Sequence, residues 1–141
     1  MNLFSPFAAV RELTARQQLW EKWGLTLSPK QIELLAEHQT AVLQSTCRVE
    51  FGGGILPKLA DAFCDSPCIQ SDCWADILAE LTELFYTLKN ETGDQIEDDV
   101  LILAMVARFN DDAGGSVDAL ASTEPAWFLR YSAERGTYDG L

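Results

Sequence analysis

Three consecutive glycines, Gly52 to Gly54, interrupt a chain whose apolar pattern is otherwise helical. Each glycine costs roughly 1 kcal/mol inside a helix relative to alanine, so the triplet separates two helices. Glycine also permits a positive φ and the close approach of another backbone. The segment therefore predicts a tight corner at which one helix crosses another.

The spacing of apolar residues predicts an all-α, single-domain bundle of about five to six short helices over residues 1–141. Ser28, Pro29 and Gln31 form a start signal with an N-cap, a proline in the first turn and a capping box. Residues 1–7 and 133–141 are expected to be loosely ordered termini. The expected helices cover roughly residues 8–23, 29–48, 55–63, 74–88, 95–109 and 117–121.

Two of these helices should provide most of the core. The helix over residues 74–88 carries apolar residues at the three- and four-residue spacing of one helix face: Trp74, Ile77, Leu78, Leu81, Leu84, Phe85 and Leu88. The helix over residues 95–109 contains an unbroken apolar run over residues 100–107. Because that run is apolar on all sides, the helix over 95–109 is expected to be central and buried.

The charge of the chain lies almost entirely in its second part. Residues 1–60 carry six basic and five acidic residues, whereas residues 61–141 carry four basic and seventeen acidic ones. Such an acidic surface repels phosphate backbones and anionic lipid, which argues against nucleic acid and membrane partners. It suits a basic protein partner, or it serves only to keep the chain in solution.

The N-terminus lacks a basic segment followed by a long apolar run, and no stretch has the length of a membrane span. A cytoplasmic location is therefore expected, in which Cys47, Cys64, Cys68 and Cys73 would be reduced thiols. Three of these cysteines lie within ten residues, and Cys47 or His38 could complete a metal site. Their irregular spacing favours independent packing thiols instead, so no metal and no cofactor are predicted.

The glycine corner is the candidate ligand-binding site, because a glycine-rich turn before a helix can hold an anion with its N–H groups. The spacing of a P-loop is absent, so a purely structural corner is the favoured interpretation. No catalytic residue is assigned. The candidate ligand-binding residues are Arg48, Glu50, Gly52, Gly53, Gly54, Lys58, Asp61 and Asp65.

Several short segments resemble an uncharacterised family of small bacterial proteins of unknown function. They are residues 48–59 around the glycines, residues 62–67, and the segments Leu84-Phe85-Tyr86 and Lys89-Asn90-Glu91. The resemblance extends over about residues 25–123 and implies a source among anaerobic Gram-positive bacteria. It implies no reaction, cofactor or catalytic residue.

These observations favour a non-catalytic α-helical binding or adaptor protein with an acidic C-terminal half. One alternative is a small-ligand-binding protein or enzyme with its site at the glycine corner, and another is a regulator that binds metal through its cysteines. Both ends carry large apolar groups, which either close over the core of their own chain or form an interface, most simply in a homodimer. These groups are Leu3, Phe4, Phe7, Trp127, Phe128 and Tyr131.

Overall fold

A computed structural model describes residues 4–139, with side chains described through Glu134. The described part of the chain is all-helical, as predicted, and its only β pairing is a single bridge between Phe4 and Gly52. A 3-10 turn, Ser71–Cys73, precedes the fifth helix. The helices are α1 (Pro6–Ala15), α2 (Gln17–Glu21), α3 (Pro29–Ser45), α4 (Leu56–Phe63), α5 (Trp74–Glu91), α6 (Asp98–Asn110), α7 (Val117–Ala121) and α8 (Pro125–Asp139).

The predicted count of five to six helices is wrong, because eight α-helices lie within residues 4–139. One extra helix arises where the expected first helix divides at Arg16, whose N–H donates back to Leu13 and closes α1. The other is α8, which the sequence pattern did not predict. None of the helices in this part of the chain is long and apolar enough to span a bilayer.

The start of α3 is formed as the sequence predicts. The hydroxyl of Ser28 accepts a hydrogen bond from the Gln31 N–H, and the Gln31 side chain accepts one from the Ser28 N–H at 2.8 Å. This reciprocal pair satisfies two of the N–H groups that a helix start leaves without partners. It fixes the first turn of α3. Helix α3 as a whole packs along α1 and α5.

Helix α5 provides the apolar stripe expected of it. All but one of the seven predicted stripe residues are buried, and Ile77 is half-buried. At the start of the helix, the Trp74 ring meets Trp20 of α2 edge-on, with ring centroids 5.9 Å apart. Both indoles are fully buried, so this pair fixes α2 to the first turn of α5.

The prediction that α6 is buried on all sides is wrong. Leu101, Met105 and Phe109 are buried, but 52 % of Leu103 is exposed and Ala107 is exposed as well. Helix α6 packs on α4, α7 and α8, which together leave one of its faces open to solvent. An apolar run therefore identified the helix correctly without showing how many neighbours it has.

The terminal aromatic residues divide between the core and the surface. Phe4 and Phe128 are buried, Phe7 is exposed, and Trp127 is half-buried with its ring stacked on Tyr131. Phe4 and Ser5 lie against the corner, and α8 continues to Asp139, within the segments expected to be loosely ordered. The rest of that expectation, residues 1–3 and 140–141, lies outside the described residues, as does Leu3 of the predicted interface.

Candidate functional site

The glycine corner connects α3 to α4, and each of its glycines meets a different structural requirement. Gly52 and Gly54 have φ values of +55° and +72°, which favour glycine. A Cβ on Gly53 would lie 1.8 Å from Glu12 Oε2, and one on Gly54 would lie 1.8 Å from Gln39 Nε2. Side chains of α1 and α3 therefore fill the space beside the last two glycines.

A chain of three polar side chains lies directly beneath this corner. The Gln39 amide nitrogen donates to the Tyr86 hydroxyl oxygen at 3.0 Å, and the Tyr86 hydroxyl donates to Glu50 Oε2 at 2.9 Å. Gln39 is fully buried, and its Oε1 atom has no hydrogen-bond partner. The chain joins α3, the corner and α5 by bonds between residues that are far apart in the sequence.

Burial and charge within this chain change the pKa of both ionisable members. Desolvation raises the pKa of Glu50, and the hydrogen bond from Tyr86 offsets part of that rise. Desolvation, together with the nearby Glu50 carboxylate, also raises the pKa of Tyr86. Tyr86 therefore stays protonated and acts as a hydrogen-bond donor rather than as a base.

The cations beside Glu50 bind other groups. Arg48 Nη1 donates to Asn90 Oδ1 at 2.7 Å and to Asp94 Oδ2 at 3.1 Å, and this bonding lowers the pKa of Asp94. Lys89 is buried, and its Nζ atom donates to the Ile96 carbonyl at 2.6 Å and pairs with Asp98 at 2.9 Å. The first turn of α6 and the loop before it are thereby tied to α5.

The remaining candidate residues lie away from Glu50. Lys58 is exposed and pairs with Asp99 at 3.3 Å, while Asp61 accepts from Arg16 at 2.8 Å and from the Trp20 indole at 3.1 Å. Lys58 and Asp61 share a groove of about 440 Å³ between α4 and α6. Asp65 is exposed just after α4. Lys58 and Asp61 thus contact α6, α2 and the junction between α1 and α2, whereas Glu50 contacts Tyr86 of α5.

The thiols differ in exposure. Cys64 is buried and its pKa is raised by desolvation, Cys68 is half-buried, and Cys47 and Cys73 are exposed. His38 Nε2 lies 3.1 Å from the Ala79 carbonyl, in the contact between α3 and α5. Within the part of the chain that the structure describes, no group of three or more His, Cys, Asp or Glu residues is placed to hold a metal ion.

A second groove, of about 360 Å³, lies between α5 and α7 and was not predicted from the sequence. We call it the acidic groove. Among the described residues, none of its four carboxylates forms an ion pair, and no Lys or Arg lines it. Its lining consists of Glu80, Glu83, Leu84, Thr87, Glu91, Val117, Asp118 and Ala121.

The sequence indicates this groove through the spacing of three glutamates along α5, in addition to its total negative charge. Glu80, Glu83 and Glu91 lie along the edge and outer face of α5 beside its buried stripe, which contributes Leu84 to the groove, and Asp118 lies on the short helix α7. The spacing on α5 was visible, but the packing of α7 beside that face was not. Only this packing turns a solvated helix face into a groove with apolar walls.

An eight-helix, strand-free fold over residues 4–139 defines the class of this protein as all-α. Within that class, the chain belongs to a family of unknown function, DUF6323, whose family model matches residues 12–134. The resemblance seen in the sequence is thereby confirmed and extended at both ends. No curated protein and no solved structure matches the chain.

Proposed function

We propose that this protein is a non-catalytic binding protein that holds a basic segment of another protein in the acidic groove. The observation that carries the proposal is the lack of compensation there: four carboxylates line the groove, and none has a cationic partner among the described residues. Other carboxylates of the described residues are also unpaired, but here four of them line one concave groove together with apolar side chains, whereas Asp61, Asp94 and Asp98 each have a cationic partner. A Lys- or Arg-bearing segment would supply the missing charge.

The apolar walls of the groove specify the partner further. Leu84, Val117 and Ala121 lie between the carboxylates, so an occupant gains most if it carries apolar side chains between its basic ones. Electrostatic complementarity of this kind raises the rate of encounter and excludes acidic partners. The net charge of −12 acts in the same direction over longer distances.

Fluorescence anisotropy with a labelled peptide of alternating basic and apolar residues tests this function. Removing three groove charges together (Glu80→Gln, Glu83→Gln and Asp118→Asn) should weaken binding by about tenfold at physiological salt, since three surface charge pairs of about 0.5 kcal/mol each add up to about 1.5 kcal/mol. A matched control removes three exposed charges outside the groove, by Glu33→Gln, Glu37→Gln and Glu124→Gln. Equal loss in both triple variants would mean that only net charge attracts the peptide, and the groove assignment would be wrong.

A further inference from the structure

The Glu50 carboxyl group is held in a way that does not suit its ionised form. It is half-buried, and the one hydrogen bond to its side chain within the described residues comes from the neutral Tyr86 hydroxyl. A carboxylate removed from water needs a cation or several donors to offset the loss of hydration. Among the described residues only one donor is present, and neither nearby cation forms an ion pair with Glu50.

The cations that face Glu50, Arg48 and Lys89, lower its pKa but offset only part of the desolvation, because each is bound to another group. On the same segment, Arg48 is bound to Asp94 and Asn90. On α5, Lys89 is bound to the Ile96 carbonyl and to Asp98, and Asp98 at the start of α6 repels the Glu50 charge. From α3, the neutral Gln39 reaches only the Tyr86 oxygen.

The corner is attached to the N-terminal segment and presents its side chains alternately to the interior and to solvent. Its side chains alternate, with Arg48 and Glu50 directed inward while Val49 and Phe51 are 63 % and 71 % exposed. Gly52 and Gly54, both at positive φ, lie at the end of the segment, where glycine allows a change of backbone direction. The Ser5 N–H donates to the Gly52 carbonyl at 2.8 Å, so the N-terminal segment is attached to the corner.

We propose that residues 48–54 form a pH-sensitive latch, which is closed over α5 while the Glu50 carboxyl is protonated and opens more readily once it is ionised. Opening withdraws Glu50 from Tyr86 into water. It also releases the Phe4–Gly52 bridge, which uncovers Phe4 and the fully buried Gln39 beneath it.

The direction of the effect follows from the raised pKa of Glu50 in the closed form. In the open form the carboxyl is hydrated, so its pKa returns toward that of an ordinary glutamic acid. Closure is therefore favoured most at a pH below the ordinary pKa of glutamic acid. It weakens as pH rises through the interval between the ordinary and the raised pKa, and stays weak above that interval.

Native-state hydrogen exchange tests the latch at the Ser5 amide, which donates to the Gly52 carbonyl and so joins the N-terminal segment to the corner. After correction for the intrinsic exchange rate, its protection should fall by up to about tenfold per pH unit as pH rises above the ordinary pKa of a glutamic acid. The Leu101 amide of α6, which donates to Glu97, monitors global stability over the same range.

The Glu50→Gln variant should keep high protection at the Ser5 amide throughout, because glutamine accepts the Tyr86 hydrogen bond without ionising. Its matched control is Glu91→Gln on the exposed face of α5, which should retain the pH dependence. A pH dependence that persists in Glu50→Gln, or that is absent from the wild type, would overturn the latch. Should the variant fold poorly, a carboxyl-carbon NMR titration of the wild type decides, and an ordinary pKa for Glu50 would refute the proposal.

Discussion

Helix α5 carries polar groups on two faces, and the two faces differ in how those groups are compensated. Toward α3 and the corner, Thr82 bonds the Leu78 carbonyl, Tyr86 bonds Glu50, and Lys89 bonds the Ile96 carbonyl and Asp98. Toward α7, the helix carries the glutamates of the acidic groove, which form no ion pair within the described residues. The same helix therefore has Thr82, Tyr86 and Lys89 hydrogen-bonded on one side and carboxylates without ion pairs on the other.

The difference reflects what burial costs. A buried polar group without a partner costs about 1–3 kcal/mol, and a charged one costs more, so the pairing of Thr82, Tyr86 and Lys89 on the corner-facing side of α5 stabilises the fold. Exposed glutamates are hydrated and need no partner. They contribute little to stability and remain available to another molecule. Substitutions on the two faces should therefore have unequal effects.

The largest effect on the free energy of unfolding is expected at Gly54, which leaves space for the Gln39 side chain. Gly54→Ala would place a Cβ 1.8 Å from Gln39 Nε2 at a φ of +72°, and should lower the free energy of unfolding by about 3 kcal/mol. Gly52→Ala is the matched control, since its φ is +55° with nothing within 4 Å of the added Cβ. Urea denaturation should show a cost of only about 1 kcal/mol for the control. Similar losses in both would mean that the contact with Gln39 is unimportant.

The next largest effect is expected at Lys89. Lys89→Met leaves the Ile96 carbonyl without its donor and Asp98 without its cation, so unfolding should become easier by about 2 kcal/mol. Lys58→Met removes an exposed pair with Asp99 instead and should cost less than about 0.5 kcal/mol. Thermal or urea unfolding of the two variants at one pH compares them. If Lys58→Met were the more damaging of the two, the contrast drawn from burial would fail.

A smaller loss is expected for Tyr86→Phe, which removes one hydroxyl that takes part in two hydrogen bonds. The Gln39 amide loses its acceptor and Glu50 loses its donor, at a cost of about 1–2 kcal/mol. Adding Gln39→Leu to this variant should cost less than the two single changes predict, because the orphaned amide is then gone. Strict additivity in that double-mutant cycle would show that the two side chains are not coupled.

The smallest effect is expected on the other face of α5. Glu83→Gln, in the acidic groove, should change the free energy of unfolding by less than about 0.5 kcal/mol and should raise it slightly, if at all, by relieving repulsion among the groove carboxylates. A loss comparable to that of Lys89→Met would contradict this expectation. It would mean that the groove carboxylates are part of the fold rather than a surface kept for a partner.

Local signals predicted the parts of the fold that depend on adjacent residues. The capping box at Ser28, the start of α7 at Ser116 and the buried stripe of α5 were all readable, because each depends on residues within a few positions of one another. Helix α8 was missed because its apolar residues cluster near its start and its sequence contains Gly136, which is unfavourable within a helix.

The candidate site was less predictable, because its bonds join distant segments. Glu50 reaches Tyr86 across 36 positions, and Gln39 reaches it across 47. The sequence indicated Glu50 through its place beside the glycines, but gave no reason to choose Gln39 or Tyr86. The exposure of Leu103 was not predicted for the same reason, since periodicity shows which residues are apolar and not which of them pack against a neighbouring helix.

The edge-to-face indole pair of Trp20 and Trp74 gives the protein a built-in optical reporter. Two transition dipoles held at a fixed angle with ring centroids 5.9 Å apart couple, so the pair should contribute a characteristic band to the circular dichroism spectrum. The indole of Trp20 is also anchored to Asp61 of α4. The band therefore reports whether α2 is docked onto α4 and α5, and it can be followed during mixing or heating without attaching any label to the chain.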